Sequence, residues 1–169
     1  RVESRTQNLY TKTMENSITL CAMADNGTLA VVTEDPGSAA RLRVYSSSME
    51  QLLSWSLTIA DGTPLRLAFS PDGRRLAVAA VTVNGGQMVT NFYVVTLAQG
   101  DPMLVGSGSG AAQWLSWTGS QSILAVCDSR AVLYNASGGE RAAYDFTGQT
   151  LRDISVDASG NTALLLASG

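Results

Sequence analysis

Short apolar runs broken by turn residues fill the chain, and their apolar positions alternate instead of recurring at helical spacing. Ile18 to Met23, Leu65 to Phe69, Trp114 to Trp117 and Leu151 to Val156 are four such segments. Each is followed across a turn by a second run. Leu29-Ala30-Val31, Leu76-Ala77-Val78, Leu124-Ala125-Val126 and Ala163-Leu164-Leu165 recur at intervals of 47, 48 and 39 residues. The turns are Asp25-Asn26-Gly27, Ser70-Pro71-Asp72-Gly73, Thr118-Gly119-Ser120 and Asp157-Ala158-Ser159-Gly160. Pro71 presets φ, Asp72 can accept from the backbone that follows it, and Gly73 reaches positive φ without Cβ strain. The pattern predicts four β-hairpins.

A second pair of strands follows in each of the first three units. Leu42-Arg43-Val44-Tyr45, Asn91-Phe92-Tyr93-Val94-Val95 and Ala131-Val132-Leu133-Tyr134 carry the β-branched and aromatic residues that strands favour. Fourth strands are placed at Leu52 to Leu57, Pro102 to Val105 and Arg141 to Phe146. The link from second to third strand reads as long in the first two units, through Asp35-Pro36-Gly37-Ser38 and Val83-Asn84-Gly85-Gly86, and short in the third. Ser48 to Leu57 also admits a helix, with Ser48 as N-cap, but its place in the repeat favours a strand.

Four short antiparallel strands per unit of about 40–50 residues make the blade of a β-propeller. The expected fold is therefore all-β, with blades over 15–60, 61–107 and 108–148 and a half-blade over 149–169. Three and a half blades fall short of the four that the smallest closed rings need. The segment Gln7 to Met14 supplies one candidate closing strand within residues 1–14, and pairing it with the final hairpin leaves one strand missing. A fragment of a longer propeller is the expectation, and a ring completed by a second copy through exposed blade faces and a distorted self-closed sheet are the alternatives.

Phe69-Ser70-Pro71-Asp72-Gly73-Arg74-Arg75-Leu76-Ala77-Val78 resembles the hairpin of WD40-like and TolB-like propeller repeats. Val132-Leu133-Tyr134-Asn135 with Gly138-Gly139-Glu140 is similar to their outer hairpin. The chain lacks the Trp-Asp dipeptide and the histidine of the eukaryotic WD40 repeat. It looks more like divergent bacterial propellers, including membrane-anchored envelope proteins. That resemblance implies an extracytoplasmic bacterial location, with a signal or anchor absent from these 169 residues.

Composition narrows the chemistry. Eleven Lys plus Arg stand against fourteen Asp plus Glu, for a net charge of −3. The one lysine and ten scattered arginines do not form a nucleic-acid surface. The absence of histidine removes Ser-His-Asp and Cys-His nucleophiles and every zinc site with an imidazole ligand. Cys21 and Cys127 sit in apolar runs and read as inert core thiols. No apolar stretch is long enough to cross a bilayer.

No residue set stands out as catalytic, cofactor-binding or metal-binding. Gly106-Ser107-Gly108-Ser109-Gly110-Ala111 matches G-x-G-x-x-A but precedes a strand, so it reads as an inter-blade linker. Asp157-x-Ser159-Gly160-Asn161 lacks the second carboxylate that calcium would need. Asp25, Asp61, Asp72, Asp101 and Asp157 occupy turns, whereas Glu34-Asp35 heads a loop. Asp145 and Asp153 lie near Arg141 and Arg152 and could pair with them. Trp114 and Trp117, three apart, face opposite sides of one strand, which suits packing against two blades. The expected function is non-catalytic binding or scaffolding, with a protein as partner and no cofactor. Two alternatives are a carbohydrate-active enzyme or lectin using the axial funnel, and a structural sensor domain of an anchored protein.

Overall fold

The computed structural model describes residues 2–3, 8–157 and 159–168, with side chains described from residue 11 onward. Gln7 of the closing segment and Ala158 of the fourth turn lie outside the described residues. A two-stranded ribbon of β1 (Val2–Glu3) and β2 (Asn8–Tyr10) comes first. Blade 1 holds β3 (Ile18–Met23), β4 (Leu29–Thr33), β5 (Ala40–Tyr45) and β6 (Gln51–Leu57). Blade 2 holds β7 (Thr63–Phe69), β8 (Arg75–Asn84), β9 (Gln87–Thr96) and β10 (Pro102–Ser109). Blade 3 holds β11 (Trp114–Trp117), β12 (Ser122–Val126), β13 (Arg130–Asn135) and β14 (Glu140–Asp145). A half-blade of β15 (Gln149–Val156) and β16 (Thr162–Ser168) ends the arc. Every pairing is an antiparallel meander, no helix occurs among the described residues, and hydrogen bonds do not close the ring.

The turns fold as their residues demand. Asp72 Oδ1 accepts from the Ser70 hydroxyl at 2.6 Å and from the Arg74 amide at 3.0 Å. Gly73 sits at φ 66°, and a Cβ there would strike the Asn26 side chain of the neighbouring blade. Ser70 is therefore buried without an unsatisfied hydroxyl, since it also bonds the Arg75 backbone.

Packing runs between blades. Ala30, Val32, Leu42, Val44, Leu53 and Leu57 of blade 1 meet Leu76, Val78, Ala80, Tyr93 and Val95 of blade 2. Ala77, Ala79, Phe92, Val94 and Val105 on the other face of blade 2 meet Leu115, Ile123, Ala125, Val132 and Tyr134 of blade 3. Small residues in β8 let the sheets approach closely while both faces stay buried. Trp117 packs into the second of these layers, and Trp114 packs into a third layer with the half-blade. The two tryptophans thus serve opposite faces, as their spacing requires.

The repeated letters Leu-Ala-Val hide a slip. Leu29, Leu76 and Ile123 are the structurally equivalent first positions, opposite Met23, Phe69 and Trp117. The third hairpin's turn is one residue shorter than the second's, so Leu124 stands where Ala77 stands. A one-residue shift sends each side chain to the other face, so Leu76 packs backward onto blade 1 while Leu124 packs forward onto the half-blade.

Three further expectations are corrected. Val83 and Asn84 belong to β8, and only Gly85-Gly86 turn the chain, so the extra residues of blade 2 lengthen two strands instead of a loop. Gly106 to Ser109 continue β10, paired from Phe92 to Val89 after a register shift, and are not a linker. Cys127 is buried, but Cys21 is exposed, because it lies on the backward face of blade 1, against which no complete blade packs among the described residues.

Segment 11–17 covers part of that backward face. Lys12 Nζ lies 4.3 Å above the Tyr45 ring, and Asn16 donates to Asp35 at 2.7 Å. Arg41 Nε also donates to Asp35, at 2.6 Å, and Arg43 donates to Thr33 at 3.0 Å. Val31, Thr33 and Tyr45 are buried beneath this network.

Candidate functional site

A meander places its connections at two ends of each blade. The links from second to third strand and from one blade to the next share one end. Blade 2 projects furthest there, because β8 and β9 have ten residues each against five and six for β4 and β5. Val83 and Met88 form a cross-strand pair near its tip and are 68% and 51% exposed. Ile59, in the link between blades 1 and 2, is 82% exposed.

Hydrogen bonds hold these parts together. Thr82 donates from its hydroxyl to the Ile59 carbonyl at 2.8 Å. Asn91 Nδ2 reaches the carbonyls of Ala60 and Asp61 at 3.3 Å each, and Asp61 accepts from the Thr58 amide at 2.8 Å. The Tyr93 hydroxyl donates to the Asp61 carbonyl at 3.4 Å, and burial, with the Asp61 charge beside it, raises the phenol above its usual range. The link is thereby fixed to the ribbon's base. Beside it opens a concavity of about 720 Å³ lined by Gly37, Ser38, Ser56, Leu57, Thr58, Ile59 and Ala60. Strand alternation puts Thr82, and with it Ile59 and the hollow, on the face of the ribbon toward blade 1, and the exposed Val83–Met88 pair on the face toward blade 3. Sequence reading missed the ribbon, although Gly85-Gly86 between β-branched runs is a two-residue hairpin signal.

A smaller hollow of about 250 Å³ lies between blades 2 and 3, lined in part by Phe92, Gly108, Cys127, Arg130, Tyr134 and Asp145. Burial, then the Asp128 charge, pushes the Cys127 thiol up to about 11, and burial pushes the Tyr134 phenol up to about 12. Neither is a nucleophile at neutral pH. Relative to the ordinary thiol at 9.0, that shift leaves about a hundredfold less thiolate. Cys127 is accordingly expected to react with a thiol reagent at least about a hundredfold more slowly in the native protein than after unfolding. Equal rates would place it at the surface.

The carboxylates serve turns and local pairs. Asp157 accepts from the amides of Ser159 and Asn161 and from the Asn161 side chain, all at 2.8 Å. These Asn161 hydrogen bonds hold the Asp157 carboxyl below its ordinary value and aim donors, not oxygens, into the loop. Asp145 accepts from Thr147 and is lowered by it, whereas Asp153 accepts from the Ile154 amide. Arg141 donates to Ser122 instead of Asp145, and Arg130 grips Glu140 through two bonds of 2.9 and 3.2 Å. Asp35 is the side chain that gathers partners, drawing in Asn16, Thr33 and Arg41. Trp55 meets Tyr93 edge-on at 5.1 Å inside the first layer and makes no open stacking platform. Among the described residues no group of acidic and cysteine side chains could hold a metal ion.

Comparison with known proteins agrees with this architecture. The model of a family of unknown function, DUF5711, matches residues 1–101. No curated protein matches the chain. Among solved structures, KlAtg21 in complex with the coiled-coil of AgAtg16 is similar, with TM-score 0.61 and 12% identity over 86% of this chain and 49% of that one. TolB from Acinetobacter baumannii gives 0.60 and 20%, over 88% of this chain and 37% of that one. The β-propeller domain of the Trilobed protease from Pyrococcus furiosus gives 0.60 and 11%, over 77% and 42%. The chain spans less than half the length of each.

Proposed function

This chain belongs to the DUF5711 family, and on that premise we propose that it is a non-catalytic binding or scaffolding module that recognises a protein through the ribbon end of blade 2. The carrying observation is the exposed Val83–Met88 pair on a ribbon longer than its counterparts, with Ile59 fixed against the opposite face of that ribbon by Thr82. The fold supports this reading, because propellers hold recognition loops on a rigid frame. One similar propeller is seen bound to a coiled coil. Asp72, Asp145 and Asp157 accept hydrogen bonds from their own turns, which favours binding over catalysis. A place outside the cytoplasm of a bacterium, within an anchored protein, belongs to the same proposal and rests on the sequence resemblance. No helix of the described residues is long and apolar enough to cross a membrane.

The test places a photo-crosslinking residue at Met88 and, as control, at Ser137 in the opposite turns. A discrete protein adduct at Met88 alone is expected in cells that make the protein. Val83→Lys with Met88→Glu should abolish the binding and move stability by less than about 0.5 kcal/mol, since both positions are exposed. Adducts that form equally at both positions, or at neither, would sink the reading.

A further inference from the structure

Hydrogen-bond parity decides which backbone groups of β10 stay open. The Gly110 amide donates to the Met88 carbonyl at 2.9 Å, and the register sets Gly108 opposite Thr90 and Gly106 opposite Phe92. Gly106, Gly108 and Gly110 therefore turn their backbone groups toward β9, and Ser107 and Ser109 turn theirs away from it. Blade 3 takes two of the outward carbonyls. That of Val105 accepts from the Gly139 amide and that of Ser107 from the Tyr134 hydroxyl, each at 3.2 Å. Among the described residues the amides of Ser107 and Ser109 and the Ser109 carbonyl have no hydrogen-bond partner. Both serines are exposed. This edge belongs to a complete blade with complete blades on either side, so it owes nothing to the ends of the chain.

The hollow of about 250 Å³ runs along this edge, with Ser107, Gly108 and Ser109 of blade 2 facing Cys127, Val132 and Asp145 of blade 3. Alternation points both serine side chains to the opposite face of β10, where Ser107 Oγ donates to Asn91 at 2.7 Å. The two residues thus meet the hollow with their backbone. Phe92, in the wall, and Met88, at the ribbon tip, share one face of β9, so the apolar lining continues toward the exposed pair. The rim is negative. Arg130 is taken up by Glu140, which leaves Asp145 and Asp128 with no ion-pair partner among the described residues. Asp128 follows Cys127 in the chain and accepts only from the Ala111 amide and the Gln113 side chain.

We propose that the partner enters as an extended, basic peptide segment, which adds a strand to β10 at Ser107 and Ser109 and sets one apolar side chain in the hollow. This names the partner of the ribbon end and rests on that reading for the partner being a protein. Open amides and a carbonyl in alternation are what an added strand bonds to. Its residue opposite Gly108 points toward blade 3, into the hollow, while its neighbours opposite Ser107 and Ser109 bond β10. Basic residues two positions to either side of the apolar one fall on the same face, toward Asp128 and Asp145.

The probe is a fluorescein-labelled peptide, Thr-Lys-Thr-Leu-Thr-Lys-Thr, capped at both ends and titrated with the 169-residue chain by fluorescence anisotropy. Saturable binding is expected, at least about tenfold weaker when glutamate replaces both lysines. N-methylation of the two threonines that flank the leucine, whose amides face β10, should weaken binding by about tenfold or more. N-methylation of the leucine, whose amide faces away, should leave it within about twofold. Ser109→Pro removes an amide that bonds nothing in the sheet, so it should keep the melting temperature and lose about tenfold in binding. Ser109→Ala keeps that amide and should bind as the native chain does. If the proline variant does not fold, the methylated peptides decide the question on the native chain. No saturable binding, equal loss from methylation at either set of positions, or equal binding of the glutamate peptide would overturn the proposal. The Met88 adduct is read separately. Its formation beside a peptide that fails would leave ribbon recognition standing without strand addition.

Discussion

Phe92→Ala is expected to lower stability by about 3–5 kcal/mol, the range for an aromatic ring removed from a packed core. Phe92 is 1% exposed and stands in a row with Ala79 of β8 and Gly106 of β10. Both neighbours are small, so the ring is the main volume filling that part of the layer between blades 2 and 3. It meets the Tyr134 ring at 5.4 Å between centroids. Neither Ala79 nor Gly106 can move into the space it would leave, because both are held in the ladder. A loss of that size corresponds to a fall in Tm on the order of 10 °C for a chain of this length. Phe92→Leu, which keeps most of the volume, should cost less than half as much. A melting temperature unchanged in Phe92→Ala would mean that this face is not the seam between the blades.

What could be read from the sequence follows from how local each signal is. Pro71-Asp72-Gly73 encodes its turn within a few residues, and the alternation on either side encodes the strands, so the four-stranded unit was legible. The opposed packing of Trp114 and Trp117 was legible too, since strand periodicity is fixed by backbone geometry. Which blade each face meets was not, because it depends on the length of a turn. The shorter third turn puts Leu124 where Ala77 stands, and recurring letters then mislead. β1 has two residues and shows no periodicity, which is why the N-terminal segment read as one strand instead of two. Asp35 read as a carboxylate heading a loop, whereas the fold brings Asn16 and Arg41 to it. The ribbon end of blade 2 went unread because Val83 and Asn84 carry loop-like neighbours, although they extend β8.

Gly106 shows how glycine in a strand can be a packing requirement. A Cβ at this position would overlap the Tyr134 ring, which is 3% exposed and tied by its hydroxyl to the Ser107 carbonyl at 3.2 Å. The ring also leans on Phe92, so it cannot swing aside without opening the layer. Gly106→Ala should therefore cost about 2–3 kcal/mol, although alanine is ordinarily the better tolerated residue in a strand. Gly106→Val should cost more. The cause is separable from backbone entropy by a double-mutant cycle. Tyr134→Ala alone is destabilising because it leaves a cavity beside Phe92, but in that background Gly106→Ala should be nearly neutral, with a coupling of about 2 kcal/mol. The measurement is denaturant unfolding of the four proteins. Additive losses would show that the glycine serves the backbone alone. Coupling would show that one ring holds the two blades together by occupying the space that a missing side chain provides.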